Sequence, residues 1–282
     1  MNKRKHPKAL KPKGFAPSRK TRVTTPAGIW LYGLHAVFAA LENPERRNQR
    51  LLLTREAQRL IEKKKGRGNP LQEVSIEIVP REAIANSLPK GAVHQGCALL
   101  TAPLEPVSLE MVLRNTKEKT EALVVLLDQV TDPQNVGAVL RSAAAFGADA
   151  VLLTQRHSPN VSGAVAKAAS GALEKMSLVQ VTNLARCLET LKEAGFWCIG
   201  LDPDAETPLP DIQTEGRTAL VLGAEGTGLR RLTQAHCDFL ARLPIHSKAV
   251  ASLNVSAAAA VALYELAGRR ALALSSPTGT PD

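Results

Sequence analysis

The sequence predicts an α/β fold of roughly two domains, and three observations carry that expectation. Strand-length apolar runs alternate with helix-period segments from Gly28 to the end of the chain. Three of the later strands lead through loops rich in Asp, Asn, Gly and Ser into a helix, as in VTDPQN, GAEGTG and SLNVS. Almost all of the net charge lies outside this pattern, in the first residues.

Those first residues read as a basic arm, 1–26. Lys3, Arg4, Lys5, Lys8, Lys11, Lys13, Arg19, Lys20 and Arg22 have no acid among them, so nine of the ten excess charges of a +10 chain sit here. A segment rich in Lys and Pro cannot bury a core and is expected to be disordered, with a polyanion as its natural partner. A solubilising tail without a partner is the alternative. The arm holds no signal-peptide core, its prolines oppose an amphipathic transit helix, and no later stretch is long and apolar enough for a membrane span. A soluble, cytoplasmic protein is therefore expected. Cys97, Cys187, Cys198 and Cys237 are widely spaced, which suits reduced buried thiols rather than disulfides or a zinc site.

Residues 27–102 predict a small α/β domain. IWLYG, QRLLLT, VSIEIV and GCALLT have strand character, while HAVFAALEN and EAQRLIEKKK have helical periodicity. The cluster Arg59, Lys63, Lys64, Lys65 and Arg67 fits either a solvated helix C-terminus or an RNA contact. His94 and Gln95 before the last strand fit a cap, a ligand contact or a turn. Residues 103–120, with Pro103, Pro106 and RNTKEKT, read as a linker.

Residues 121–274 predict the larger α/β domain, with 275–282 as a disordered tail. EALVVLLD is a buried strand, and the helix after Asp132 and Pro133 places Val136, Val139, Leu140, Ala143 and Phe146 on one face, with Asn135 as the expected N-cap. Arg141 lies off that stripe and is free to face a ligand. SGAVAKAASGALEKM predicts a small-residue helix, and Thr182 and Asn183 are cap candidates for the next one. Gly223 to Gly228 is neither G-x-G-x-x-G nor a P-loop, and Glu225 within the turn would repel a pyrophosphate. From Ala241 a short apolar strand runs through a loop into the final helix, where Ser252, Asn254 and Ser256 suit the helix mouth and Ala257 to Ala260 allow close backbone approach. Three such mouths imply a ligand crevice at the C-terminal ends of the strands.

VTDPQNVGAVLRSAAAFGADAV, LVLGAEGTGLRRL and LPIHSKAVASLNVSAAAAVALYE resemble, in order and spacing, the three motifs of the SpoU/TrmH family of ribose 2'-O-methyltransferases, within the SPOUT class. YGLHAVFAALE and GAVHQG are similar to the L30e-like RNA-binding domain that precedes the catalytic domain there. VTNLAR and RRLTQAHCD bring the chain nearest to members that methylate a guanosine ribose in 23S ribosomal RNA. The resemblance implies a deep trefoil knot, which base rates alone would never suggest. It also implies S-adenosylmethionine as cofactor, no metal, RNA rather than DNA or a membrane as partner, and a homodimer with a shared active site. Gly223, Leu243, Ile245 and Leu253 would hold the cofactor, largely through backbone atoms. Asn135, Arg141, Glu225, Ser252 and Asn254 would line the reacting end. The chain departs from the family in the segment Ile245 to Val250, which lacks the usual glycine and is one residue longer before Ser252; Lys248 within it fits a solvated lysine or an RNA or cofactor contact.

Methyl transfer requires a ribose oxygen aligned with the methyl and a route for its proton. A base role for Arg141 conflicts with its high pKa, so a bidentate phosphate clamp stands beside it as the second role. Glu225 would then hold either Arg141 or Asn135. A tRNA ribose target is the nearest alternative. A binding-only assembly factor would have no need of all four of Asn135, Arg141, Glu225 and Asn254, and a nucleotide-dependent oxidoreductase lacks its phosphate fingerprint.

Overall fold

The computed structural model describes residues 28–63, 74–156, 158–246 and 252–275. The basic arm 1–26, the residues Lys64, Lys65 and Arg67 of the basic cluster, Lys248 with the loop around it, and the tail beyond Ser275 lie outside the described residues.

The first sheet contains β1 (Ile29–Tyr32), β2 (Asn48–Leu53), β3 (Ser75–Ile78) and β4 (Cys97–Thr101), in the order β1-β4-β2-β3. β4 is antiparallel to both neighbours, whereas β2 and β3 are parallel. Helices α1 (Leu34–Glu42), α2 (Arg55–Lys63) and α3 (Arg81–Asn86) connect the strands, as the alternating pattern predicts. Gln95 supplies a cap from far along the chain: its Oε1 accepts the Leu34 N–H of α1 at 3.1 Å, 61 residues away. His94 is buried, and its Nδ1 accepts the Gly96 N–H at 3.2 Å, so both residues have structural partners.

The second sheet is parallel throughout, in the order β7-β6-β5-β10-β8-β11-β9. Its strands are β5 (Ala122–Asp128), β6 (Ala150–Thr154), β7 (Ser177–Val181), β8 (Phe196–Leu201), β9 (Thr207–Pro208), β10 (Arg217–Gly223) and β11 (Phe239–Arg242). Strand β5 is buried along its whole length because both faces of the sheet are covered, the usual state of parallel sheets. Leu123, Val125 and Leu127 pack with α5 (Pro133–Ala145), α6 (Gly163–Ala169) and α9 (Val255–Ser275). Val124 and Leu126 face the opposite layer, which contains α7 (Leu184–Glu193).

Three local expectations need correction. Asn135 does not cap α5; Asp132 does, accepting the Gln134 N–H at 2.9 Å, because Pro133 is suited to the first helical position, which leaves Asn135 inside the helix. The small-residue helix ends at Ala169, where Ser170 (φ 51°) and Gly171 (φ 94°) turn left-handed before a short 3-10 turn at Ala172–Glu174. The stretch expected to be a linker holds a helix, α4 (Leu109–Thr116), capped by Ser108 and docked through buried Val112 on the α7 side of the large sheet. Asn183, by contrast, caps α7 as its sequence position suggests.

The two sheets are joined by packing. The cluster that contains Leu123 and Leu140 continues through Val165 and Ala169 to Leu31 and Leu53 of the first sheet and Val37 of α1. At Gly163, a Cβ would stand 2.3 Å from the Trp30 carbonyl oxygen, so only glycine lets α6 approach β1 this closely.

Candidate functional site

Parallel strands place their C-terminal ends, and the loops that follow, along one edge of the sheet. Along that edge lies a cavity of about 610 Å³, within the range of small-molecule sites. Gly223, Glu225, Leu243, Ile245, Ser252 and Leu253 all line it. The structure thus brings together every residue expected to hold a cofactor and two of those expected at the reacting end.

The wall at Gly223 depends on the missing side chain. A Cβ there would stand 2.1 Å from the Gly228 carbonyl carbon. Glycine allows Ala224 and Gly228 to exchange backbone hydrogen bonds of 3.2 and 2.9 Å, which closes the turn that carries Glu225. Leu222, Leu201 and Val255 add an apolar wall.

Three side chains remote in sequence then meet. Asn135 Nδ2 donates to Glu225 Oε1 at 3.0 Å, and Asn254 Nδ2 donates to Asn135 Oδ1 at 3.0 Å. Asn254 Nδ2 also donates to Glu225 Oε1. The other end of Asn254 caps α9, since its Oδ1 accepts the N–H groups of Ser256 at 2.9 Å and Ala257 at 3.3 Å. One asparagine therefore ties the last helix to the first and second motifs. Ser252 takes no part in this cap and is exposed on the cavity wall.

Arg141 is exposed on α5 and stands outside the network. Of the two residues that Glu225 was expected to hold, the one it holds is Asn135. A carboxylate at the lip of the cavity favours a cationic or hydrogen-bond-donating ligand over a phosphate, as the sequence of the turn suggested.

Leu201, Asp202 and Pro203 also line the cavity, and sequence reasoning missed them. Asp202 accepts the Gln234 amide at 2.8 Å and the Asp204 N–H at 2.9 Å. The available signal was their place just past the end of β8, a parallel strand whose loop must open on the same edge. The four cysteines are free, and burial pushes each thiol up to about 12. Arg59 and Lys63 are exposed, and Lys63 lies in the last turn of α2, where a cation is favourable.

Comparison with known proteins gives a consistent set of matches. Residues 122–264 match the model of the SpoU rRNA Methylase family, and residues 30–107 match the RNA 2'-O ribose methyltransferase substrate binding model. The chain is 40% identical over 254 residues to the 23S rRNA (guanosine-2'-O-)-methyltransferase RlmB of Pseudomonas aeruginosa, covering 85% of this chain and 96% of that protein. It is 38% identical over 247 residues to an uncharacterized tRNA/rRNA methyltransferase of Synechocystis, covering 85% of this chain and 62% of the longer relative. A putative RNA methyltransferase of the TrmH family from Porphyromonas gingivalis superposes with a TM-score of 0.67 at 25% identity, covering 86% of this chain and 90% of that one. The AdoMet complex of the SpoU methyltransferase AviRb from Streptomyces viridochromogenes shares the fold, with a TM-score of 0.70 at 20% identity over 87% of this chain and 91% of that one.

Proposed function

Because the chain belongs to the SpoU rRNA methylase family, we propose that it transfers a methyl group from S-adenosylmethionine to a ribose 2'-hydroxyl of structured RNA, at a guanosine of 23S ribosomal RNA. The observation that carries this reading is the junction of Asn135, Glu225 and Asn254 beside the 610 Å³ cavity. Gly223, Leu243, Ile245 and Leu253 fit a cofactor held mainly through backbone atoms, because the Gly223 wall has no room for a side chain. When bound, the cofactor supplies an electrophilic methyl on a sulfonium.

The residues of the chain do the rest. Glu225, fixed by two amides, offers a carboxylate to a positively charged ligand and keeps phosphate away from that end of the cavity. Asn135 and Asn254 hold that carboxylate in place, and Ser252 lies within reach of a polar ligand at the wall. Arg141, exposed and without a hydrogen bond to any described residue, is free either to clamp an RNA phosphate through its planar fork or to act on the hydroxyl proton.

The reading extends to a trefoil-knotted chain within 121–274 and a homodimer with shared sites. In support of the knot, Arg269 of α9 donates to the carbonyls of Leu209 (2.7 Å) and Ile212 (2.5 Å), which ties the last helix to the segment ahead of β10. In support of the dimer, α9 exposes Val261 and Tyr264, and Tyr264 meets Phe146 edge-on. Residues 27–102 act as the L30e-like RNA-binding domain, the arm 1–26 adds phosphate contacts, and the protein works in the cytoplasm.

The test is to map 2'-O-methyl groups in 23S ribosomal RNA and tRNA from cells with and without the protein. One guanosine of 23S ribosomal RNA should lose its methyl. A loss confined to tRNA would support the alternative target, and no change in either RNA would overturn the reading.

A further inference from the structure

Asp128, the last residue of β5, is fully buried and paired in register with Gly223. Its Oδ2 accepts the Thr233 hydroxyl at 2.7 Å and the Arg230 N–H at 3.2 Å, and its Oδ1 accepts Arg230 Nε at 2.7 Å. Arg230 lies two residues beyond Gly228, which is bridged to Ala224 and closes the turn that carries Glu225. The pair therefore stands at the same sheet edge as the reacting end.

Neutralising a buried carboxylate would account for an arginine at this position, but other arginines of the chain show what such a role looks like. Arg46 uses Nε and Nη2 on Glu174 and Nη1 on the Ala102 carbonyl, with no side-chain exposure. Arg217, which meets only backbone carbonyls, and Arg269, paired with the part-exposed Glu265, also commit Nε, Nη1 and Nη2. Arg230 differs: its Nε is committed to Asp128, its side chain is 47% exposed, and neither Nη group bonds a described residue. Anchoring through Nε holds the guanidinium plane still and turns the free Nη edge outward, where two parallel N–H donors match two oxygens of a phosphate.

We propose that Arg230, held by Asp128, is a contact for the RNA backbone, which presents its Nη edge to a phosphate near the target nucleotide. The inference rests on the RNA methyltransferase reading and adds a substrate-positioning pair on the α7 side of the sheet, separate from Arg141 on α5. Pre-orientation is the role of Asp128, since the arginine need not be immobilised when RNA arrives.

The test uses the full chain, protein-free 23S ribosomal RNA and equilibrium binding from about 50 to 200 mM salt. In Arg230→Lys, the single ammonium is drawn to the buried Asp128 and cannot serve a phosphate as well. Affinity should fall several-fold and the slope of log affinity against log salt should become shallower by about 0.7 to 0.9, the value of one phosphate. The KM for RNA should rise, while turnover at saturating RNA and S-adenosylmethionine binding stay near wild type. Asp128→Asn keeps the arginine's charge but frees it, so affinity should fall with the slope unchanged. Should either single variant fail to fold, Asp128→Asn/Arg230→Gln leaves no charge buried and should lose the same slope. A charge-neutralising role predicts otherwise: wild-type affinity and slope in Arg230→Lys or in the double variant, and tighter binding in Asp128→Asn as an acid is removed. Those results would overturn the proposal. Wild-type protein that binds no RNA would instead overturn the reading it rests on.

Discussion

Arg46, just ahead of β2, and Glu174, in the short turn ahead of β7, face each other with side chains 0% and 3% exposed, joined by two parallel hydrogen bonds of 2.9 and 2.8 Å. Asn43 adds a third donor to the same carboxylate at 2.8 Å. The left-handed turn at Ser170 and Gly171 leads into the short turn that presents Glu174 to Arg46. Breaking one half of such a pair leaves a buried charge without its partner. Glu174→Gln should therefore lower stability by about 3–5 kcal/mol, whereas the paired change Arg46→Met/Glu174→Leu should cost much less. Chemical denaturation of the full chain decides, and a Glu174→Gln protein within about 1 kcal/mol of wild type would show that water reaches the pair.

Asn254 joins a helix cap to the Glu225 network, and two substitutions separate the two tasks. Asn254→Asp retains a capping oxygen but places a second carboxylate beside Glu225. Asn254→Ala should lose about 1 kcal/mol of stability with the cap. Both should slow methyl transfer, by roughly 10²-fold if Glu225 shifts by about 1 Å. An Asn254→Asp enzyme with full stability and full turnover would mean that the three-way junction is not needed for the reaction.

Arg141 is tested by single-turnover methylation across pH. Lysine keeps a cation without the planar fork, and it is the easier residue to deprotonate. Activity in Arg141→Lys with a profile shifted to lower pH would favour proton removal. Loss of activity at every pH with normal cofactor binding would favour the phosphate clamp. Arg141→Ala should be inactive under either role, and wild-type rates in that variant would remove Arg141 from the reaction altogether.

The thiols give a prediction with a definite sign. Burial raises Cys97, Cys187, Cys198 and Cys237 to about 12, above the roughly 8.5 of an unfolded thiol. The neutral form is thus favoured in the folded protein, so this contribution to stability is complete below about pH 8.5 and is lost as pH rises from there towards 12. At pH 8 a thiol reagent should label the buried Cys97, Cys187 and Cys198 only as the protein unfolds. Rapid labelling of these three in the native protein would show that their sites open to solvent.

Much of the fold was legible because its causes are local. Val136, Val139, Leu140 and Ala143 repeat at helical spacing and are all buried. Asn183 caps α7 from the position its sequence context gives it. Misreadings came where two local signals competed or where packing decided. Asp132 and Asn135 are both good caps, and the proline between them selects the first. A helix within 103–120 could not be expected from LEMVL alone, since its stability comes from docking Val112 in the layer beside the large sheet.

The sequence by itself determined most of the elements, the three polar helix mouths and, through their resemblance to a known family, the kind of chemistry they serve. Periodicity, capping and turn composition act over a few residues and can be read without coordinates. Only the tertiary structure decided that Glu225 holds Asn135 and Asn254 rather than Arg141, that Asp202 faces the cavity, and that Asp128 anchors Arg230. These are contacts between residues 29 to 119 positions apart in the network and 102 apart in the anchored pair. Strand order and register set such distances, and no local pattern records which of several polar side chains the folded sheet will bring together.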